Sequence, residues 1–132
     1  MSAPRRLRPE GLVRSPAFSH VAIVPPGATT IYVGGQNAVD SSGALIGEGD
    51  VAAQSVRALQ NVATALAAAG ASLRDVVQWT VLFVDGVDIA AGYAAIAGDL
   101  ATDEPGLITA ARVAGLGVPG ALVEISAVAA VV

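Results

Sequence analysis

The stretch Ile31-Tyr-Val-Gly-Gly-Gln-Asn-Ala-Val-Asp40 carries the reading on which the fold turns. Its first half, Thr30 to Gly34, is β-branched and aromatic, and predicts a strand. The apolar run His20 to Val24 lies just before it, across the turn sequence PPGATT, so the two runs predict a hairpin. Its second half opens GGQNAVDSSGALIGEGD, a 17-residue loop with five glycines. A loop of that length in a compact domain is more often functional than not. Beyond it, Asp50 is placed to cap a helix over Val51 to Ala69, with Val56, Leu59, Val62, Ala63 and Leu66 as its apolar stripe and Gly70 past its end. Asp75 to Val84 is dense in β-formers. Asp85 or Asp88 then caps a second helix, whose Ile89, Tyr93, Ile96 and Leu100 share one face. Leu107 to Gly115 and Ala121 to Val132 complete the pattern as strands. The order β-β-α-β-α-β-β predicts an α+β sandwich, with two helices on one face of a single mixed sheet.

The 132 residues suit one domain, placed at 16–132, behind an Arg/Pro-rich segment over 1–15 that reads as a flexible, solvated arm. The formal charge is −4 and every basic residue is arginine. Four of the seven arginines precede residue 15; the rest of the chain sets three against ten acids. Phosphate neutralisation dominates nucleic-acid affinity, so this body is not expected to bind nucleic acid. The same argument disfavours a likeness to the Gly-Gly-Gln of translation release factors, which work against ribosomal RNA. No apolar run approaches the ~20 residues of a membrane helix, and no apolar h-region follows the first arginines. No membrane association is expected, and the absence of cysteine agrees with a cytoplasmic location. A chain that is 54% hydrophobic is expected to cover part of its surface with a subunit contact.

The inventory narrows the chemistry. With no Cys, no Lys and a single histidine, His20, thiol nucleophiles, Schiff-base lysines and multi-His metal sites are absent. No metal site and no cofactor are expected; no serine sits in a G-x-S-x-G elbow, and no P-loop or dinucleotide fingerprint exists. One acid stands apart. Glu124 lies inside ALVEISAVAAVV. Either it is buried, with a raised pKa suited to proton handling, or strand alternation turns it outward with Leu122 and Ser126.

Taken together, AFSHVAIV, IYVGGQNAVD, LQNVATALAAAGASLRDVV, WTVLFVD, VAGL and LVEISAVA resemble the RidA/YjgF family (the reactive-intermediate deaminase, or L-PSP endoribonuclease-like, family) in order and spacing, from about Ser15 onward. The resemblance implies a chorismate-mutase-like fold and a homotrimer with small-molecule clefts between subunits. It also implies hydrolysis of enamines or imines to a carbonyl compound and ammonia, without cofactor or metal. Carried over residue by residue, Glu124 matches the glutamate that activates water, and Gly34 and Gly35 the strand end that lines the cleft. Phe18 stands where deaminating members have tyrosine, and Ala90 near a position often held by asparagine. The arginine that clamps the substrate carboxylate has no counterpart: Ile108 falls at its position, or Leu107 if the loop slips by one, which marks an Arg-lacking subgroup. Phe18 and Ile108 are then expected to line the pocket, and the backbone near Gly34, Gly35 or Thr109 to hold a polar atom. Arg112, four residues beyond Ile108, is the one nearby cation. The resemblance leaves two functions open: an imine hydrolase of altered specificity, or a non-catalytic small-molecule-binding trimer linked to a catabolic pathway.

Overall fold

A computed structural model describes residues 3–132. Six strands and two α-helices form: β1 (Arg5–Leu7), β2 (Val21–Ile23), β3 (Thr29–Gln36), α1 (Val51–Ala68), β4 (Val76–Val84), α2 (Ile89–Leu100), β5 (Leu107–Val113) and β6 (Val123–Val131). From β2 onward this is the expected order. The main sheet runs β3-β6-β4-β5, antiparallel except for the parallel β4–β5 pair. It is a mixed sheet with both helices on one face, the α+β arrangement expected.

The helices start where the sequence signals them. The Asp50 carboxylate accepts from the Ala53 N–H and that of Asp88 from the Ala91 N–H, so Asp88 rather than Asp85 caps α2. Gly70, at φ 76°, follows the end of α1 in the left-handed conformation that its lack of a Cβ permits. Leu59, Val62 and Leu66 of α1 meet Ile96 and Leu100 of α2 over Trp79, Val81 and Phe83 of β4 and Val123, Ile125 and Ala127 of β6. Val56, expected in the α1 stripe, is exposed instead; Gln54, Ser55 and Ala58 take the buried positions. Gln54 is fully buried and bonded: its amide donates to the carbonyls of Gly47 and Gly120, and its Oε1 accepts from Leu122 N–H. It thereby ties the glycine-rich loop to the entry of β6.

The pairing of the first strands departs from expectation. β2 does not form a hairpin with β3. It pairs antiparallel with β1, whereas β3 pairs with β6. Pro25 and Pro26, one residue beyond β2, have no N–H to donate to a ladder, and β3 carries Ile31 and Val33, which belong over the main core. The segment expected as a solvated arm also holds structure. Arg6 Nη2 donates to the carbonyls of Arg74 and Val76, both at 3.0 Å, and Arg8 Nη2 reaches that of Asp103. These arginines cap main-chain oxygens of their own chain. Met1 and Ser2, also assigned to that arm, lie outside the described residues.

Among the described residues no helix is long and apolar enough to cross a membrane.

Candidate functional site

The two glycines of the opening stretch form a β-bulge. Val33 is registered with Ala127 and Gln36 with Ile125, so Gly34 and Gly35 together oppose Ser126 alone. The extra residue inverts the alternation of β3. Before it, Ile31 and Val33 face the core; after it, Gln36 is registered with core-facing Ile125, on the helix side. The 17-residue loop is correspondingly shorter than expected, because β3 continues through both glycines to Gln36, and a Val39–Leu45 bridge braces the segment beyond.

The bulge brings Gly35 onto Glu124. A Cβ at position 35 would stand 2.6 Å from both Cδ and Oε2 of Glu124 and 2.9 Å from its Cγ. The same construction at Gly34 meets nothing within 4 Å. Gly35 is thus glycine for close approach, and what approaches is the glutamate carboxyl. Of the two alternatives for Glu124, the outward one holds. Val123, Ile125 and Ala127 are buried in the core, and Glu124 lies between them on the opposite, helix-free face, registered with Leu82 and half-buried.

That face continues as a shallow depression of about 240 Å³ floored by Tyr32, Gly34, Gln78, Thr80, Ser126 and Val128. Gln78 Nε2 donates to Thr109 Oγ1 at 3.3 Å, which extends the polar row to β5. Gln78 and Thr80 were not singled out from sequence, and Ser126 only as an outward neighbour of Glu124; their signal was the period-2 alternation of polar residues in β4 and β6.

The remaining candidates gather at the other edge of the sheet. Ser19 N–H donates to the Gly106 carbonyl, which fixes the Phe18 segment beside the start of β5, and the Phe18 ring meets His20 edge-on at 5.4 Å between centroids. Thr109 is exposed on the helix-free face. Ile108 has the opposite parity: it is registered with buried Trp79 and packs against the core. Arg112 shares that parity and donates through Nη1 to the Val87 carbonyl at 3.4 Å, a contact within its own chain. Ala90 is exposed in the first turn of α2. Two clusters result, Gly34–Gly35–Glu124 and Phe18–Ile108–Thr109, with β4 between them. At about 4.8 Å per strand spacing and 3.3 Å per residue, the Glu124 and Thr109 Cα atoms are roughly 12 Å apart. One chain does not close a small pocket around both. Among the described residues, no group of three or more His, Cys, Asp or Glu side chains is placed to hold a metal ion.

The family model described as Endoribonuclease L-PSP matches residues 13–131. Among solved structures, a Yersinia pestis protein of the conserved Rid family, YyfB, described as of unknown function, is similar at 30% identity and a TM-score of 0.86, covering 98% of this chain and 100% of its own. The YjgF gene product of E. coli is 32% identical with a TM-score of 0.68 over 80% of this chain and 83% of its own. RidA from an Antarctic Psychrobacter is 27% identical with a TM-score of 0.69 over 90% and 98%. No curated protein matches significantly. With a family model spanning nearly the whole chain and the same fold in its relatives, the chain belongs to the Rid (YjgF, L-PSP) family.

Proposed function

We propose that this protein is a hydrolase of small enamines or imines, acting as a homotrimer whose clefts join the Gly34–Gly35–Glu124 edge of one subunit to the Phe18–Thr109 edge of the next. The observation that carries the reading is the Glu124 side chain, placed on an otherwise uncharged sheet face beside a glycine bulge. Water attack on a C=N carbon needs a base to take the water proton and a donor to hold the developing polar atom. Glu124 supplies the first, and the backbone N–H groups at the bulge or at Thr109 the second. What supports the assembly is that β3 and β5 are the two edge strands and each carries half of the residues such a cleft needs.

The substrate is less anionic than an amino-acid imine. A bidentate arginine clamp is directional and strong, and truncating one partner of such a pair costs about 2–5 kcal/mol. Ile108 presents no cation and packs inward, and Arg112 has the same strand parity, away from Thr109. The absence of a clamp is the physical content of the proposed Arg-lacking subgroup. It also favours a second reading, a trimer that binds a small molecule without turning it over, in which Phe18 lines the site. RNA cleavage fits less well, because the body beyond residue 15 holds three arginines against ten acids.

The test is ammonia release from freshly generated imines, matched in size with and without a carboxylate, for wild type and Glu124→Gln, alongside sedimentation analysis of the wild type. Turnover of the uncharged imines, lost in Glu124→Gln, supports the hydrolase. Saturable binding without turnover supports the second reading. A monomer at working concentration overturns the shared cleft.

A further inference from the structure

On the helix side of β3, away from the Glu124 face, a groove of about 410 Å³ runs between α1 and the loop after the bulge. Gln36, Asp40, Ser41, Arg57, Asn61 and Thr64 line it. Its polar groups are built from the inside outward. Asn61 Nδ2 donates to the carbonyls of Asn37 and Val39, both at 2.9 Å, which fixes the amide and therefore its Oδ1. That oxygen accepts from Arg57 Nε at 3.1 Å, which sets the plane of the guanidinium. Among the described residues neither terminal nitrogen of Arg57 has an acceptor within hydrogen-bonding distance. Across the groove, Asp40 Oδ1 accepts from Ser42 N–H, Ser42 Oγ–H and Ala44 N–H, so the carboxylate too is held in place. Arg57 and Asp40 both line the groove but do not close an ion pair.

An immobilised cation and an immobilised anion face one concave space without neutralising each other by contact. A simple anion fits this poorly, because Asp40 repels it, and a simple cation meets the same objection from Arg57. A compact ligand carrying both charges, one on each side of a single carbon, offers an opposite charge to each group. We propose that this groove is a binding site for a small zwitterion of the α-amino-acid type, its carboxylate on the free edge of Arg57 and its ammonium toward Asp40, with Ser41 as a hydroxyl partner and Thr64 Oγ1, whose proton goes to the Gln60 carbonyl, as an acceptor only. Preorganisation by Asn61 and by the Asp40 turn reduces the ordering cost of binding, and the fork geometry of arginine selects a planar carboxylate. The site is independent of the imine chemistry assigned to Glu124, because it lies on the other face of the sheet.

The test is an amide NMR titration of the full chain with L-alanine, and separately with propionate and with propylamine, each carrying one of the two charges. The expected result is saturable shifts at Ser41, Ser42, Arg57 and Thr64 with alanine, weakened about tenfold in Arg57→Gln and again in Asp40→Asn. Propionate and propylamine should bind about tenfold more weakly than alanine. Glu124→Gln should leave the titration unchanged, so failure here and failure of the imine reading are separable. Asparagine at 40 keeps the Oδ1 acceptor, and an unaltered spectrum outside the groove reports that both variants fold. Absence of saturable shifts overturns the proposal. So does propionate binding as tightly as alanine and indifferent to Asp40→Asn, which makes the groove an anion site only.

Discussion

Replacing Gly35 by alanine adds one methyl group at the point where β3 touches the glutamate. Neither Gly34 nor Gly35 has a left-handed backbone, so alanine is conformationally tolerated at both and the outcome depends on space. At Gly34 there is room; at Gly35 the new Cβ lies 2.6 Å from the Glu124 carboxyl carbon, against 3.4 Å for the start of ordinary contact. The carboxyl must therefore withdraw by at least the difference, about 0.8 Å. Glu124 ends in freely rotating torsions, so it can swing away at little cost. Overpacking a rigid core costs about 1–3 kcal/mol, but this neighbour yields, and losing a glycine from the unfolded chain returns ~0.4–1 kcal/mol. Net stability should change by less than about 1 kcal/mol, a few degrees in Tm. The hydrolysis proposed for Glu124 is less forgiving: displacement by about 1 Å can cost on the order of 10²-fold in rate. Gly35→Ala is thus expected to melt near wild type while its kcat falls by roughly that factor. Gly34→Ala should match wild type in both. The measurements are thermal melts, a crystal structure of each variant, and ammonia release from an uncharged imine. A Gly35→Ala structure with the Glu124 carboxyl unmoved refutes the steric argument, and so does a Gly34→Ala variant equally impaired.

Three further expectations concern the scaffold. Arg6→Ala removes two charge-assisted hydrogen bonds to the carbonyls of Arg74 and Val76 and should destabilise by about 2 kcal/mol, with faster proteolysis between residues 8 and 20; unchanged proteolysis would show that the β1–β2 ribbon is held by other contacts. Gly92→Ala, though helix-favouring, places a Cβ 2.8 Å from Phe83 Cε1 and 3.1 Å from Val51 Cγ2, where the ring is fully buried; chemical denaturation should report a loss of about 1–3 kcal/mol, and a gain would mean the helices separate freely. The hydrogen bonds from Ser42 and Ala44 hold the Asp40 carboxyl below its ordinary value of 3.8. A depressed acid stabilises the folded form above its unfolded pKa, and that contribution is lost as pH falls through the folded one, so the 40–44 turn should loosen only in strong acid. Carboxyl carbon NMR should show Asp40 titrating below 3.8; a midpoint at or above that value contradicts the turn geometry.

Local signals in the sequence were legible where the interaction that sets them is local. Asp50 and Asp88 cap the residues three positions on, and the Ile89–Leu100 face follows from helical spacing alone. Pairing was less legible. A turn-rich stretch between two apolar runs reads as a hairpin, yet β3 is claimed by β6, almost a hundred residues away, because only there do Ile31 and Val33 reach the core. The arginines near the start carry a charge pattern typical of solvated tails, and the carbonyls that Arg6 caps are invisible until the chain is folded. At the site, alternation offered the outward placement of Glu124 as one of two readings, and nothing in the glycine pair showed that the glutamate itself would approach Gly35. The parity of Ile108 had to wait for its register with Trp79.

The sheet order has a consequence for how the chain is made. β6, the last strand in sequence, lies inside the sheet and bonds β3 on one side and β4 on the other. A nascent chain therefore carries β3 and the β4–β5 pair as unjoined pieces until β6 emerges, with the apolar undersides of both helices awaiting cover. Assembly of the core is a late event that depends on contacts distant in sequence, which slows folding and lengthens exposure to aggregation. Loss of the Val123–Val131 segment would divide the sheet through its middle instead of trimming one margin.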